Sequence, residues 1–441
     1  MISCWRLLAV IIGTLQHNRL SNGLPMNSSP YYPSRSRRLA ECPAAASEGP
    51  HIDVETIKPT NHGFDRRNLE PVEATELQHL EELLGIKLEY DLRELATLAS
   101  RNITKIPWTS SYWPNWRNGI GRRWRNKTVS SAAEKYGQAY KVADFFEQVT
   151  KYRGVKSEHV GPRVECSSID DCDAASLVQY GCAKLKEETS GICMLKWYGL
   201  CHAWAAASLM EDEPICPVTV GKLVFEPLDI KALLIQAYDG AVVETAFIGQ
   251  RCKTDNNDTD KYGRYISADR RDINAGAFFV AVVNLIGLHD RGFIMDTDAG
   301  RPVWNQPVFG YNIERLIMVN PTKVAKELLK AEKYPFNPNM VRLAYVKLRV
   351  YWMGEQITNK PSISTGRYKS ATKSSKYHML LELSEDFEIL GGEFIKSSLR
   401  RHPDFIWILK GPAPDDTVTG MGLNLGDVRK LVKRSRECEK K

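Results

Sequence analysis

The stretch at residues 196–210, Lys-Trp-Tyr-Gly-Leu-Cys-His-Ala-Trp-Ala-Ala-Ala-Ser-Leu-Met, constrains this chain most. Residues 203–210 are small and apolar nearly all round. A helix with no polar face to give to water belongs inside a fold. Gly199 breaks the backbone ahead of it, because without a Cβ it accepts dihedrals other residues avoid. Pro214 closes the segment after three acids, Glu211, Asp212 and Glu213. Cys201 therefore falls in the first turn, where unsatisfied N–H groups and the positive dipole end favour an anion. A thiol so placed is expected to have a lowered pKa and to serve as a nucleophile. The alternative is an inert packed cysteine or half of a disulfide. His202 points roughly 100° around the helix from Cys201, which suits packing better than proton transfer.

The rest of the composition points outward from the cell. At 441 residues there is room for about two to four domains. A net charge of +7 spread over 60 basic and 53 acidic residues is too balanced for a nucleic-acid binder. Only the end is locally basic (Lys430, Lys433, Arg434, Arg436, Lys440 and Lys441), which reads as a solvated helical tail. No stretch reaches the roughly 18 apolar residues of a membrane-spanning helix. The short apolar core at residues 7–13, after Arg6, has the length of a secretory signal peptide, so residues 1–24 are assigned to one. Of ten cysteines, Cys4 would leave with that peptide and Cys201 is set aside, leaving an even eight. Asn27, Asn102, Asn126 and Asn257 are glycosylation acceptors by their N-x-Ser/Thr context. Together these imply a secreted protein, extracellular or in the cell wall.

Residues 25–70 are rich in Ser, Pro, Asn and Arg and form a leader or pro-segment, with Arg35-Ser36-Arg37-Arg38 as a processing site or a plain basic run. Leu77, Leu80, Leu83, Leu84 and Leu88 recur at helical spacing and open the folded part. Trp108, Trp113, Trp116 and Trp124 lie in a loop that either packs on the core or walls a substrate site. Residues 132–150 read as a helix. Cys166, Cys172, Cys182 and Cys193 are separated by gaps of five, nine and ten residues. Zinc sites usually show Cys-x-x-Cys, so a disulfide knot is expected and no metal is assigned. A helix at 229–238 takes Asp229 as its N-cap, and 242–248 is strand-like. The acidic tract at 255–260 lacks the glycine and terminal glutamate of a calcium loop and reads as a solvated turn. Residues 277–286, almost continuously apolar, read as a central strand buried on both faces. The partner strand at 293–296 ends in Asp296, placed either to orient a catalytic group or to cap the turn. After a helix near 324–333, alternation at 344–352, with further runs at 377–383, 389–394 and 405–409, makes the C-terminal part mostly antiparallel β.

At Val303-Trp304-Asn305-Gln306-Pro307-Val308 the chain resembles the secreted transglutaminase elicitors of oomycetes. Tyr112-Trp113-Pro114, the cysteine knot running into residues 197–204, residues 226–232, Leu390-Gly391-Gly392-Glu393 and His402-Pro403-Asp404-Phe405 match in the same order, over roughly residues 70 to 435. The resemblance implies an acyltransferase of papain-like architecture with a Cys-His-Asp triad, often calcium-dependent, so Ca2+ is the cofactor to look for. Cys201 would attack a protein glutamine carboxamide, release ammonia and pass the acyl group from a thioester to a lysine amine. Its partners would be proteins with accessible Gln and Lys, and a plant cell-surface receptor reading the 303–308 segment as a surface peptide. In the family pattern the strand matching residues 277–280 carries the histidine where this chain has Phe279, while Asp296 keeps the orienter's place. Activity then needs another imidazole, and His289, in the turn between the two strands, is the nearest in sequence.

The expected fold is therefore α+β, a transglutaminase-like core over 71–340 that includes the disulfide-rich segment 166–193. A β-rich region over 341–435 and a basic tail at 436–441 follow. The expected function is secreted protein-glutamine γ-glutamyltransfer through Cys201. The alternatives are an impaired family member acting as an extracellular elicitor, or a papain-like cysteine protease.

Overall fold

The computed structural model describes residues 71–157, 164–174, 179–250, 258–266, 272–298, 300 and 302–440. The signal peptide, the leader, Asn27 and Asn257 lie outside the described residues. Leucine spacing produces α1 (Pro71–Leu84), with Leu77 and Leu80 buried. Next come α2 (Leu92–Ala96) and β1 (Ser100–Asn102). The helix expected over 132–150 is two, α3 (Ala132–Tyr140) and α4 (Phe145–Arg153). The break lies at Lys141 and Asp144, whose φ values of 55° and 54° are left-handed and end a right-handed helix.

The cysteine knot is β2 (Glu165–Cys166), α5 (Ile169–Ala174), β3 (Tyr180–Ala183) and β4 (Gly191–Leu195). Two disulfides, Cys166–Cys182 and Cys172–Cys193, staple it just ahead of α6 (Cys201–Met210). After the hairpin β5 (Val218–Val220) and β6 (Leu223–Phe225) comes α7 (Pro227–Gly240). Its N-cap is Glu226 rather than Asp229, which sits at the third helical position and completes a reciprocal capping box. Then follow β7 (Thr245–Gly249), α8 (Ala275–Val282) running into a π-helical turn (Val283–Leu288), β8 (Phe293–Asp296) and β9 (Asn305–Val319). The remainder is α9 (Pro321–Glu327), β10 (Arg342–Met353), α10 (Tyr368–Ala371), β11 (Thr372–Leu383), β12 (Ile389–Phe394), β13 (Phe405–Leu409) and α11 (Leu425–Arg436).

The chain is α+β, with helices packed on one antiparallel sheet in the order β12-β11-β10-β9-β8-β13-β7, and β1 also pairing with β9. β9 and β10 pair across residue 340, so the β-rich C-terminal region shares its sheet with the core. Helix α6 packs on β8 and β9, and α8 packs on β11 and β12. The central strand expected over 277–286 is thus not a strand. A wholly apolar run has the same pattern in a buried helix as in a buried strand. Asn274 decides the outcome locally by capping the N–H groups of Gly276 and Ala277. The C-terminal helix is no solvated tail either. Leu425, Val428, Leu431 and Val432 face the core, and Cys216–Cys438 fastens its end.

One buried ion pair ties the loops around α6 together. Lys231 of α7 reaches Glu213 Oε1 at 2.6 Å and donates to the Thr109 carbonyl at 2.9 Å. Glu213 also accepts from Ser362 N and Oγ and from Ile363 N. Burial would raise the Glu213 pKa, but Lys231 and these donors hold it below the usual carboxylate range. Removing one partner strands a charge in the interior. Lys231→Met is expected to cost about 3–5 kcal/mol, read from the shift in the urea unfolding midpoint.

Candidate active site

The backbone delivers Cys201 to its place before any side chain acts. Leu200 N donates to the Tyr112 carbonyl at 2.6 Å. A Cβ on Gly199 would lie 2.5 Å from that same oxygen, so only glycine lets the two segments meet. Cys201 is the first residue of α6 and is 5% exposed. It is a free thiol, which excludes the disulfide alternative. Its Sγ donates to the Val303 carbonyl at 3.7 Å and accepts from Asn305 Nδ2 at 3.9 Å. Asn305 Oδ1 is held by Trp407 Nε1 at 2.8 Å, which fixes the amide that faces the sulfur.

Asp296 sits opposite Asn305 in the β8–β9 ladder and is fully buried. Its Oδ1 accepts from Trp304 N at 2.9 Å and from Asp298 N at 3.2 Å, shaping the chain between the two strands. Trp304 in turn meets Tyr112 edge-on, with ring centroids 5.2 Å apart. Nearby, a cleft of about 310 Å³ is lined by Tyr112, Trp116, Arg117, Arg122, Lys196 and Glu355, among others.

The electrostatics reverse the expectation for the thiol. Burial pushes the Cys201 pKa up to about 12; the negative charges of Glu355 and Asp296 add to this, and hydrogen bonding from Asn305 opposes it. The favourable helix end is outweighed by the loss of water. Burial likewise pushes Glu355 up to about 7, against a hydrogen bond from Gln306. Glu355 had no signal as a site residue in the sequence, since nothing near Gly354 marks a turn that returns to α6, whereas Gln306 was legible only as part of the 303–308 segment.

The expected bases lie elsewhere. Phe279 is buried on α8, the helix on β11 and β12, so it does not stand on a strand facing Cys201. His289 follows the π-helical turn and places Nε2 3.2 Å from the Lys87 carbonyl at the surface, and it is not among the hydrogen-bond partners of Cys201. Among the described histidines, His202 pairs with Asp239 at 3.0 Å, His378 with Tyr345 Oη and His402 with the Ser398 carbonyl, while His79 is exposed on α1. Burial would raise Asp239, but Arg153 and His202 hold it at about 2. His202 is thus fixed by a structural hydrogen bond to Asp239.

The other assigned residues are placed as follows. Cys166, Cys172 and Cys193 cluster closely enough to suggest a metal, but their sulfurs are committed to the two knot disulfides. Asp260, in the acidic tract, accepts from Tyr262 N and pairs with Arg264. Asn102 and Asn126 are exposed, as glycan acceptors must be. In the hexamer, Val303 and Trp304 are partly exposed, whereas Asn305, Gln306, Pro307 and Val308 are buried within β9. The expected surface peptide is largely an interior strand.

The transglutaminase elicitor family matches residues 76–438. The chain belongs to that family. The crystal structure of the GP42 transglutaminase from Phytophthora sojae is similar to it with a TM-score of 0.73. The identity is 35%, over 82% of this chain and 98% of that one. No curated protein matches the chain. For this elicitor-family protein the fold expected from the resemblance, helices on an antiparallel sheet with a β-rich C-terminal region, is the fold observed. Its three described disulfides belong to an oxidising compartment and suit an extracellular protein. Among the described residues no helix is long and apolar enough to cross a membrane.

Two outcomes follow for this elicitor-family protein. Iodoacetamide at pH 8 should alkylate Cys201 at least about 100-fold more slowly in the folded chain than in guanidine, read by peptide mapping. Glu355 should make stability fall as pH rises. Its folded pKa of about 7 exceeds the ordinary 4.5, so between those values the folded chain holds the proton that the unfolded chain gives up. Thermal melts from pH 4.5 to 8 should slope downward, and Glu355→Gln should flatten part of that slope.

Proposed function

We propose that this chain is a catalytically silent member of the transglutaminase elicitor family, an extracellular protein that keeps the thiol helix without the acyl-transfer chemistry. The observation that supports this is the sulfur's surroundings: among the described residues its hydrogen-bond partners are the Val303 carbonyl and Asn305, neither of them an imidazole. A thiol pushed up to about 12 is ionised in only about one molecule in 100,000 at pH 7. Loss of the base costs a comparable triad enzyme, a serine protease, on the order of a million-fold. What such a protein retains is a recognisable exported fold. A plant cell-surface receptor would meet Val303 and Trp304 at its surface.

A second reading keeps the transferase activity, and one observation favours it. Glu355, with a pKa near neutrality, lines the cleft beside Tyr112 and is felt electrostatically by the thiol. As a base it would take the Cys201 proton while sulfur attacks the glutamine carboxamide. Ammonia would leave from the tetrahedral intermediate and a lysine amine would then displace the sulfur from the thioester. The proton still favours the thiol over Glu355 by roughly 100,000-fold, which is why the silent reading is preferred.

Dansylcadaverine incorporation into a glutamine-bearing protein, with and without Ca2+, separates the two. Labelling is expected to equal that of Cys201→Ala. Labelling lost in both Cys201→Ala and Glu355→Gln would overturn the proposal for the second reading. Peptide cleavage without labelling, abolished by Cys201→Ala, would overturn it for a cysteine protease.

A further inference from the structure

The cleft beside the thiol carries a charge pattern that neither the fold nor the reaction explains. Several partly buried arginines elsewhere in the described chain are matched by a carboxylate: Arg93 by Asp91, Arg153 by Asp239, Arg264 by Glu393, Arg349 by Glu314 and Arg429 by Glu211. Arg117 and Arg122 form no ion pair among the described residues, although both line the same cleft. Arg117 is held there by its guanidinium lying 4.3 Å from the centre of the Trp116 ring. Arg122 is half-buried, and burial first and the charge of Arg117 second weaken its hold on its proton. Lys196 and Glu355 line the same wall. An exposed Arg117 beside a half-buried Arg122 sets two like charges at one cleft, which an anion relieves, and a guanidinium fork matches a carboxylate in two parallel hydrogen bonds.

We infer that Arg117 and Arg122 form a carboxylate subsite that seats an acidic peptide segment in the cleft next to Cys201. The Tyr112 ring supplies the apolar contact for the aliphatic stem of a glutamate, whose carboxylate then reaches the two forks. A volume of about 310 Å³ is small for an organic ligand and accommodates a short stretch of side chains. Binding is separate from turnover, so the inference stands whether or not Cys201 transfers acyl groups.

The test is fluorescence anisotropy on the full secreted chain at 0.15 M salt, with a labelled pentapeptide Gly-Glu-Gln-Glu-Gly and its Lys-for-Glu counterpart as probes. The acidic probe is expected to bind and the lysine probe to show no saturable binding. Arg117→Gln and Arg122→Gln, each with an unchanged far-ultraviolet circular dichroism spectrum, should weaken the acidic probe by about tenfold or more. Arg122→Lys should recover only part of that loss, because an ammonium lacks the planar fork. Equal binding of the two probes, or full affinity in both Arg→Gln variants, would overturn the subsite. Free glutarate or galacturonate displacing the peptide at equal concentration would overturn the peptide assignment in favour of a general carboxylate site.

Discussion

The pair between Lys231 and Glu213 is the interaction on which the region around α6 depends. It is buried on all sides, and each partner spends its remaining hydrogen bonds on a different loop. Lys231 holds the tryptophan loop by the Thr109 carbonyl, and Glu213 holds the segment at Ser362 and Ile363. Thr109 N closes the circuit by donating to Ser362 Oγ at 3.2 Å. A buried ion pair gains little net stability over apolar packing, but it tolerates only one arrangement of its partners. Here that arrangement sets the distance between the two segments that wall the cleft.

Cys201 shows how two local rules can oppose each other at one atom. The end of a helix attracts negative charge, and this effect is worth at most about 2 kcal/mol in partly buried geometries. Removing a thiolate from water costs more, and the acids at positions 296 and 355 add to the cost. The surrounding hydrogen bonds suit the neutral form: the S–H has a carbonyl to donate to, and the sulfur has an amide beside it. The same elements that would frame a nucleophile here keep a proton in place.

The sequence made the strands legible where apolar and polar residues alternate, as along β10 and β11, because alternation has one structural meaning. It made α6 legible through its unbroken small residues and Asp296 legible as the end of a short strand. It misled at 277–286, where a run apolar on every side holds no period to read, and the cap that settles the matter is a single Asn274 side chain. The docking of α11 was hidden because five basic residues interleave with its buried ones, and the anchoring Cys438 lies 222 residues from its partner. The state of the thiol was invisible for a deeper reason. Helix position is a property of neighbours in sequence, whereas burial and Glu355 reach Cys201 through the fold.

The placement of β9 has a consequence for any protein that reads the hexamer at 303–308. Asn305 to Val308 pair with β8 on one side, and Val308 also pairs with β10 on the other, so their backbone groups are already spoken for. Exposing them means opening the middle of the sheet, which amounts to unfolding the domain. A receptor that needs the whole hexamer would consequently sense damaged or digested copies. Intact molecules would offer it only the first two side chains, so the signal would report protein turnover rather than protein abundance.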